Sequence, residues 1–148
     1  MTNKLPSTVR SLPIALIRAR EGIMPPIREM LHETGITEQQ WRVLRVLAEH
    51  GPQSSSILAS RSALLFPSLT RIAQTMHSKG LITLSRDEDD RRRQMVAITA
   101  EGQKIIDNKT EQAKEIVADL KQRIGEDRYE ALLDTLALLD PNLSLIHI

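Results

Sequence analysis

The sequence FPSLTRIAQTMHSKGLITLSRDEDDRRRQMVAIT, residues 66–99, passes from a helical pattern through a glycine to two alternating segments. The apolar residues of the first part recur at the i, i+3, i+4, i+7 spacing of one buried helix face. They are Leu69, Ile72, Ala73 and Met76. Pro67 suits the first helical turn, where a missing N–H costs no hydrogen bond, and Gly80 can adopt the left-handed conformation that ends a helix. We therefore predict a helix that begins near residue 66 and ends before Gly80.

The opposite side of this predicted helix carries hydroxyl and amide side chains and one cation, but no carboxylate. A helix face without negative charge can approach the phosphates and base edges of a DNA groove. Arg71 has no acidic residue at the neighbouring helical positions, so we favour a DNA contact over a local ion pair. Gln74 could make a bidentate contact to adenine, whereas ordinary surface exposure explains the hydroxyl residues nearly as well. The predicted DNA-contacting residues of this helix are Ser68, Thr70, Arg71, Gln74 and Thr75.

After the glycine, the apolar pattern changes from the helical period to a period of two. Ile82 and Leu84 alternate with polar residues, and Val96 and Ile98 alternate on the return segment, which predicts a β-hairpin with one buried face. The intervening DEDDRRR, residues 87–93, is too charged to be buried. A basic hairpin tip beside an uncharged polar helix is typical of a winged helix. In that fold the helix enters the major groove and a tip arginine reaches the adjacent minor groove.

Five short motifs between residues 68 and 102 resemble those of the MarR family of winged helix-turn-helix regulators. They are SLTR, GLI, DEDDRRRQ, AIT and G. The segment TEQQWRVLRVLAEHGP, residues 37–52, is similar to the helix that precedes the DNA-binding pair in that family. Together with LPIALIRARE, residues 12–21, this segment is most similar to the branch that represses homoprotocatechuate degradation. The resemblance extends over about residues 12–139.

The resemblance implies one MarR-type domain over residues 1–148, mainly α-helical with a small β-hairpin wing. Residues 36–99 would form the winged helix DNA-binding lobe. The segments 11–35 and 100–140 would be dimerisation helices, N-terminal and C-terminal to that lobe.

The family's D-x-x-D-R-R wing motif corresponds to Asp87, Asp90, Arg91 and Arg92. Some of the three arginines must form ion pairs with the four preceding acids and shape the turn. We nevertheless predict Arg91, Arg92 and Arg93 as DNA-contacting residues. By the family pattern Arg92 is our choice for the minor groove, and Asp87 or Asp90 would hold the wing and orient it. The acids must pair or point away, because a carboxylate pressed against phosphate is repelled.

The N-terminal part predicts a helix that starts at Ser11 and Pro13. Pro25 and Pro26 are predicted to interrupt it with a kink, because a proline inside a helix removes a hydrogen bond and clashes one turn back. A second segment would then run to Gly35. The apolar patch of the first segment is too wide for a small monomer to cover, which favours a dimer contact. Its members are Leu12, Ile14, Leu16 and Ile17.

The next helix has the best-determined start in the chain. Thr37 and Gln40 form the T-x-x-Q pattern of a capping box, and Ile36 with Trp41 forms a hydrophobic staple. This helix is predicted to end at Gly51-Pro52. Serines 54–56 are then predicted to cap a short helix that leads to the DNA-contacting one.

Beyond the hairpin, Thr99 can cap a helix of about 24 residues that ends at Gly125. Such a helix is about 36 Å long, which exceeds the body of a small domain. Its apolar stripe and that of the last helix, up to Leu139, cannot both be buried within one wing domain. Two-fold packing with the first helix of a second chain would bury them. We assign no function to the apolar end LSLIHI, residues 143–148.

Composition limits the classes of function. The net charge is +1, but residues 54–93 hold seven Lys/Arg against four Asp/Glu, and residues 101–148 hold six against ten. The middle of the chain is therefore the candidate for DNA binding. The absence of cysteine excludes disulfides and thiol catalysis and fits a cytoplasmic protein. No apolar run is long enough to span a membrane.

Proteins of this family often bind aromatic acids, which implies a pocket between the dimerisation helices and the DNA-binding lobe. A carboxylate ligand needs a guanidinium partner and an apolar wall. Our candidates for the ligand site are Arg20, Trp41 and Arg45, and plain surface charge is a nearly equal explanation for the two arginines.

The expected function is that of a homodimeric repressor that binds a pseudo-palindromic operator in double-stranded DNA. A small aromatic carboxylate would release it from an aromatic-acid (homoprotocatechuate-like) catabolic operon. One alternative is an architectural DNA-binding protein without an effector. The other is a metal-dependent enzyme that uses the acidic run, although metal sites need carboxylates that converge from separate elements. We predict no catalytic residue, no metal site and no cofactor.

Overall fold

A computed structural model describes residues 4–142, and LSLIHI at residues 143–148 lies outside the described part. The described residues form six α-helices and three short strands, preceded by a 3-10 turn at Thr8–Arg10. In chain order the elements are α1 (Leu12–Leu31), α2 (Glu38–His50), β1 (Gln53–Ser54), α3 (Ser55–Arg61), α4 (Phe66–Ser78), β2 (Ile82–Arg86), β3 (Gln94–Ile98), α5 (Ala100–Ile124) and α6 (Glu126–Ala137). The predicted fold, mainly helical with a small β wing, is confirmed. Within residues 4–142 no helix is both long enough and apolar enough to cross a membrane.

The core lies between α2, α3, α4 and the sheet. The predicted inner face of α4 is confirmed, since Leu69, Ala73 and Met76 are buried and Ile72 is half-buried. The largest side chains that are fully buried come from each of these elements. They are Leu44, Leu47, Leu58, Leu69, Met76, Ile82, Val43 and Val96. These elements therefore share a continuous apolar interior, to which Met30 and Leu31 of α1 also belong.

The sheet is antiparallel with the strand order β1-β3-β2. In the hairpin Ile82 pairs with Ile98 and Leu84 with Val96, so the predicted buried faces of the two strands lie side by side. Strand β1 was not predicted, because two residues carry no periodic pattern. It pairs Gln53 with Val96 and thereby makes β3 the central strand.

The predicted helix boundaries follow the capping residues. The Thr37 hydroxyl accepts a hydrogen bond from the Gln40 N–H at 3.1 Å, and the Gln40 side chain accepts one from the Thr37 N–H at 3.1 Å, which completes the capping box. Gly51 ends α2 with a φ of 78°. Ser54 caps α3 through a bond from the Ile57 N–H.

Thr99 forms the junction between the hairpin and α5. Its hydroxyl accepts the Gly102 N–H at 3.1 Å and donates to the Gly80 carbonyl at 2.7 Å. Its own N–H donates to the Leu81 carbonyl at 3.1 Å. One residue therefore connects the end of α4, the start of the hairpin and the start of α5.

The prediction that Pro25 and Pro26 divide the first helix into two segments was wrong, because α1 continues through both, whereas a kink at this point stays a prediction. Each proline removes one hydrogen bond to the carbonyl four residues before it, at Glu21 and Gly22. Both prolines and both of these residues are exposed, so water can bond the freed carbonyls. On the other side of the helix Met24 is buried against the body, which favours a continuous helix over a break.

Apolar side chains of the first and last helices remain uncovered in the single chain. On α1, Leu12 is 52% exposed and Ile17 64%, and on α6 both Leu132 and Leu133 are 47% exposed. These are the faces for which the sequence predicted a dimer contact.

Gly102 allows α5 to lie directly on the start of the hairpin. A Cβ atom at this position would collide with the Leu81 carbonyl oxygen and lie 2.9 Å from Ile98 Cγ1. We predict that Gly102→Ala lowers the free energy of unfolding by about 2 kcal/mol, because overpacking outweighs the usual gain of helix propensity. Denaturant unfolding monitored by circular dichroism measures this change.

The matched control is Lys104→Ala on the same helical turn, where the side chain is exposed. Its free energy of unfolding should stay within about 0.5 kcal/mol of the wild-type value. Equal stability of the Gly102→Ala variant and the wild type would contradict the close approach of α5 to the hairpin.

Candidate nucleic-acid interface and ligand pocket

Helix α4 presents the predicted contact residues on its free side. Thr70, Arg71, Gln74 and Thr75 are exposed, whereas Ser68 is half-buried in the first turn. The carboxylates that the structure describes form no ion pair with Arg71, as the sequence predicted. Its guanidinium is therefore available to a DNA groove.

The hydroxyl protons on this face are already used within the helix. The Thr70 hydroxyl donates to the Phe66 carbonyl at 3.1 Å, and the Thr75 hydroxyl donates to the Arg71 carbonyl at 3.4 Å. Phosphate oxygens accept hydrogen bonds but cannot donate them. In this arrangement Arg71 and Gln74 are better donors to DNA than the two threonines.

The hairpin tip is a compact turn held by its own acids. The Asp87 N–H donates to the Arg93 carbonyl and the Arg93 N–H donates to the Asp90 carbonyl, both at 3.0 Å. Asp90 Oδ1 accepts the Arg92 N–H at 3.1 Å and Arg92 Nε at 3.2 Å. Asp87 Oδ2 lies 3.6 Å from Arg93 Nη1. The acids thus face the arginines and shape the wing.

The three arginines of the tip differ in their partners. The Arg92 side chain is 93% exposed although it contacts Asp90. Its hydrogen bond, together with one from its backbone N–H, holds the pKa of Asp90 below its ordinary value. Arg91 is exposed and forms no ion pair within residues 4–142.

A pocket of about 530 Å³ opens between α2 and α5. Trp41 is buried and supplies an aromatic wall, and Arg45 is exposed at the same pocket. No described acid forms an ion pair with Arg45. The other lining residues are Ala48, Glu49, Gln103, Ile106, Thr110, Ala113, Lys114 and Val117. The volume suits one small organic molecule.

The structure does not bring Arg20 together with Trp41 and Arg45. Arg20 lies outside the lining of this pocket, and its Nη2 atom contacts Glu38 Oε1 at 3.1 Å. Sequence reasoning placed the pocket against the dimerisation helices but named no lining residue on α5. The apolar stripe of α5 was assigned to the dimer contact alone, but Ile106 and Val117 on that helix line the pocket.

The acidic run at the wing tip does not form a metal site. In the described part of the chain no three His, Cys, Asp or Glu side chains are grouped so that they could hold a metal ion. Two of the acids are instead bonded to arginines of the same turn.

Similarity to known proteins agrees with this geometry. The sequence profile of the MarR family matches residues 36–93, which include α2, the helix pair α3 and α4, strand β2 and the wing tip. The HTH-type transcriptional regulator FarR of Neisseria gonorrhoeae is 36% identical, over 87% of this chain and 88% of its own length. The homoprotocatechuate degradative operon repressor of Escherichia coli is 34% identical, over 82% of each chain.

A solved structure supports the same relationship. The crystal structure of NadR in complex with 4-hydroxyphenylacetate superposes with a TM-score of 0.80 at 35% sequence identity, and the match covers 93% of this chain and 98% of NadR. By both sequence and fold, this chain belongs to the MarR family of transcriptional regulators.

Proposed function

We propose that this protein is a homodimeric repressor that binds a pseudo-palindromic operator and is released by a small aromatic carboxylate. The observation that carries the proposal is the free donor face of α4, with Arg71 and Gln74, beside an arginine-rich wing tip in the same lobe. Such a lobe supplies base contacts from the helix and backbone or minor-groove contacts from the wing. With DNA as its partner, the protein would act in the cytoplasm.

The uncovered apolar faces of α1 and α6 support a dimer. Residues 36–99 would form the DNA-binding lobe, and the flanking segments 11–35 and 100–140 would pack against a second copy. A two-fold dimer would present its two α4 helices to successive major grooves about 34 Å apart. Ser68, Thr70 and Thr75 would then accompany Arg71 and Gln74 as contacts to the DNA.

At the wing we propose that Arg92 enters the minor groove, with Arg91 and Arg93 beside it on the backbone. Asp90 orients the tip through the Arg92 backbone N–H and Asp87 through Arg93, and neither bond uses the Arg92 guanidinium. Insertion exchanges the Asp90 partner of Arg92 for DNA. The high exposure of the Arg92 side chain makes this exchange feasible without any change in the turn.

The pocket between α2 and α5 supports an aromatic carboxylate as the effector. Trp41 would contact the ring, and Arg45, which has no described partner, would pair with the carboxylate. The related NadR is solved with 4-hydroxyphenylacetate, and another relative is named for a homoprotocatechuate operon. A phenolic acid is therefore the class we propose.

Ligand release would follow from the position of this pocket. It joins α2 of the DNA-binding lobe to α5 of the dimerisation region. A ligand that binds one relative position of these helices more tightly shifts the population toward that position. If the preferred position has the wrong spacing of the two α4 helices, the operator is released.

We predict that Arg92→Ala weakens operator binding and lowers its salt dependence. Removing one phosphate-neutralising contact per wing should reduce the slope of log affinity against log salt by about 2 for the dimer. Fluorescence anisotropy titrations over a series of salt concentrations measure the slope. Arg123→Ala, in the last turn of α5, is the matched loss of an arginine and should leave it unchanged. An equal slope for Arg92→Ala and the wild type would exclude the proposed role.

We predict that Arg71→Ala relaxes sequence discrimination more than it weakens general DNA binding. A base-edge contact of arginine contributes about 1–3 kcal/mol of discrimination, so the affinity ratio between operator and random DNA should fall about tenfold. Competition binding with both duplexes measures this ratio. Full discrimination by the variant would show that Arg71 is misassigned. A wild-type protein without any preference would instead favour the architectural alternative.

We predict that Arg45→Gln raises the concentration of 4-hydroxyphenylacetate required for binding at least tenfold, because a charge-assisted hydrogen bond is lost. Calorimetric titration of the free protein measures this affinity. The amide of the same acid, which lacks the charge, should bind the wild type weakly. Arg123→Gln, outside the pocket, is the control variant. Equal binding of acid and amide would contradict an arginine–carboxylate pair.

A further inference from the structure

Arg42 of α2 reaches the turn that precedes the DNA-contacting helix. Its Nη1 atom donates to the Ser62 carbonyl at 2.9 Å and to the Ala63 carbonyl at 3.2 Å. Ser62 is buried, so its carbonyl needs a partner from within the protein. This guanidinium therefore fixes the backbone at the position where α3 ends and the chain turns into α4.

The turn itself is strained. The Leu64 N–H donates to the Ala59 carbonyl and the Ala63 N–H to the Ser60 carbonyl, which is the Schellman pattern at the end of α3. The left-handed residue of this pattern is usually glycine, but here it is Ala63, with a φ of 55°. Such a conformation persists only where the surroundings over-determine it. The bonds from Arg42 supply part of that constraint.

Glu38 connects Arg42 to the first helix. Its Oε2 atom lies 2.8 Å from Arg42 Nε, one turn along α2, as an ion pair without hydrogen-bond geometry. Its Oε1 atom accepts a hydrogen bond from Arg20 Nη2 on α1 at 3.1 Å. The Glu38 side chain is only 16% exposed, so its ion pairs are screened less by solvent than ordinary surface pairs. Three charged side chains thus form one chain of contacts from α1 to the turn before α4.

The C-terminal end of α4 is hydrogen-bonded to the connection between α1 and α2. Lys79, which follows the last residue of α4, donates to the Gly35 carbonyl at 2.9 Å. Gly35 lies in the connection between α1 and α2. The turn that precedes α4 and the residue that follows it are therefore each bonded, through a cation and a backbone carbonyl, to α2 or to the connection between α1 and α2.

We propose that Arg42 is a positioning residue for the DNA-contacting helix, and that Glu38 and Arg20 transmit the position of α1 to it. This rests on the proposed function, in which α4 contacts the operator. Arg42 need not touch DNA. A displacement of α1 moves Glu38 through its bond to Arg20, and Glu38 in turn moves Arg42. The hydrogen bonds from Arg42 to the Ser62 and Ala63 carbonyls then change, which alters the direction in which α4 enters the groove.

The test uses the full-length protein and a DNA duplex that the wild type selects from a random pool. The measured quantity is the ratio of its affinity for the selected duplex to that for an unrelated duplex at fixed salt. Arg42→Gln should lower this ratio about tenfold, and Glu38→Gln and Arg20→Gln about threefold each. Arg18→Gln, an exposed arginine on the same helix, is the matched control for Arg20→Gln and should keep the wild-type ratio.

A double-mutant cycle separates the relay from a general loss of stability. In the Glu38→Gln background, Arg20→Gln should have no further effect on the ratio. In the Ala63→Gly background, where the backbone strain is removed, Arg42→Gln should lower the ratio less than it does alone. Thermal midpoints of all variants show whether stability changes in parallel. If Arg42→Gln does not fold, the Arg20 and Glu38 variants still decide the question.

Two results would overturn the relay. One is an Arg20→Gln variant with the wild-type affinity ratio, and the other is an Arg20→Gln substitution that lowers this ratio equally in the wild type and in the Glu38→Gln background. A wild type that prefers no duplex would instead overturn the proposed function, which this design distinguishes from failure of the relay alone.

Discussion

The Thr99 hydroxyl holds the DNA-binding lobe and the long helix α5 together. It accepts the Gly102 N–H in the first turn of α5 and donates to the carbonyl of Gly80, two residues after the end of α4. A side-chain cap usually satisfies one helix end only. Here one hydroxyl joins the start of α5 to the segment that follows α4, and the bond from the Thr99 N–H to the Leu81 carbonyl holds the same junction.

The helix and hairpin that we propose as DNA contacts were the most predictable from sequence, because their signals are local. The apolar period of α4 and the alternation of β2 and β3 each arise from one buried face. The Thr37–Gln40 capping box and the positive φ of Gly80 are likewise set by neighbouring residues. Where the end of a helix or strand depends only on the residues beside it, the sequence pattern was sufficient to predict it.

What sequence reasoning missed depends on contacts between distant segments. Strand β1 exists only because β3 lies beside it. The continuity of α1 through two prolines depends on the burial of Met24 and on solvent reaching the opposite side. Arg20 and Arg42 are separated along the chain but meet at Glu38, and no spacing rule distinguishes them from Arg45, which faces the pocket. The ligand pocket itself has one wall on α5, which is remote in sequence from Trp41.

The wing illustrates how a segment with four acids can still serve an anionic partner. Asp87 and Asp90 direct their oxygens into the turn, toward backbone N–H groups and two arginines, which leaves the cationic side chains on the outside. Net charge alone would not reveal this arrangement, because the seven-residue tip is close to neutral. Asp87 and Asp90 point toward the arginines, whereas Glu88 and Asp89 remain exposed beside them, so the orientation of each charge determines how the tip meets a phosphate.

The contact made by Gly102 has a mechanical consequence. With no side chain at that position, the backbone of α5 lies directly against the Leu81 carbonyl, and the side chains of Ile98 and Leu44 fill the rest of the contact. A backbone carbonyl cannot change rotamer, so this part of the contact transmits a displacement of α5 to the start of the hairpin. A rotation of α5 about its own axis would therefore move the hairpin with it. The tip lies at the far end of two five-residue strands, so its displacement would be the largest.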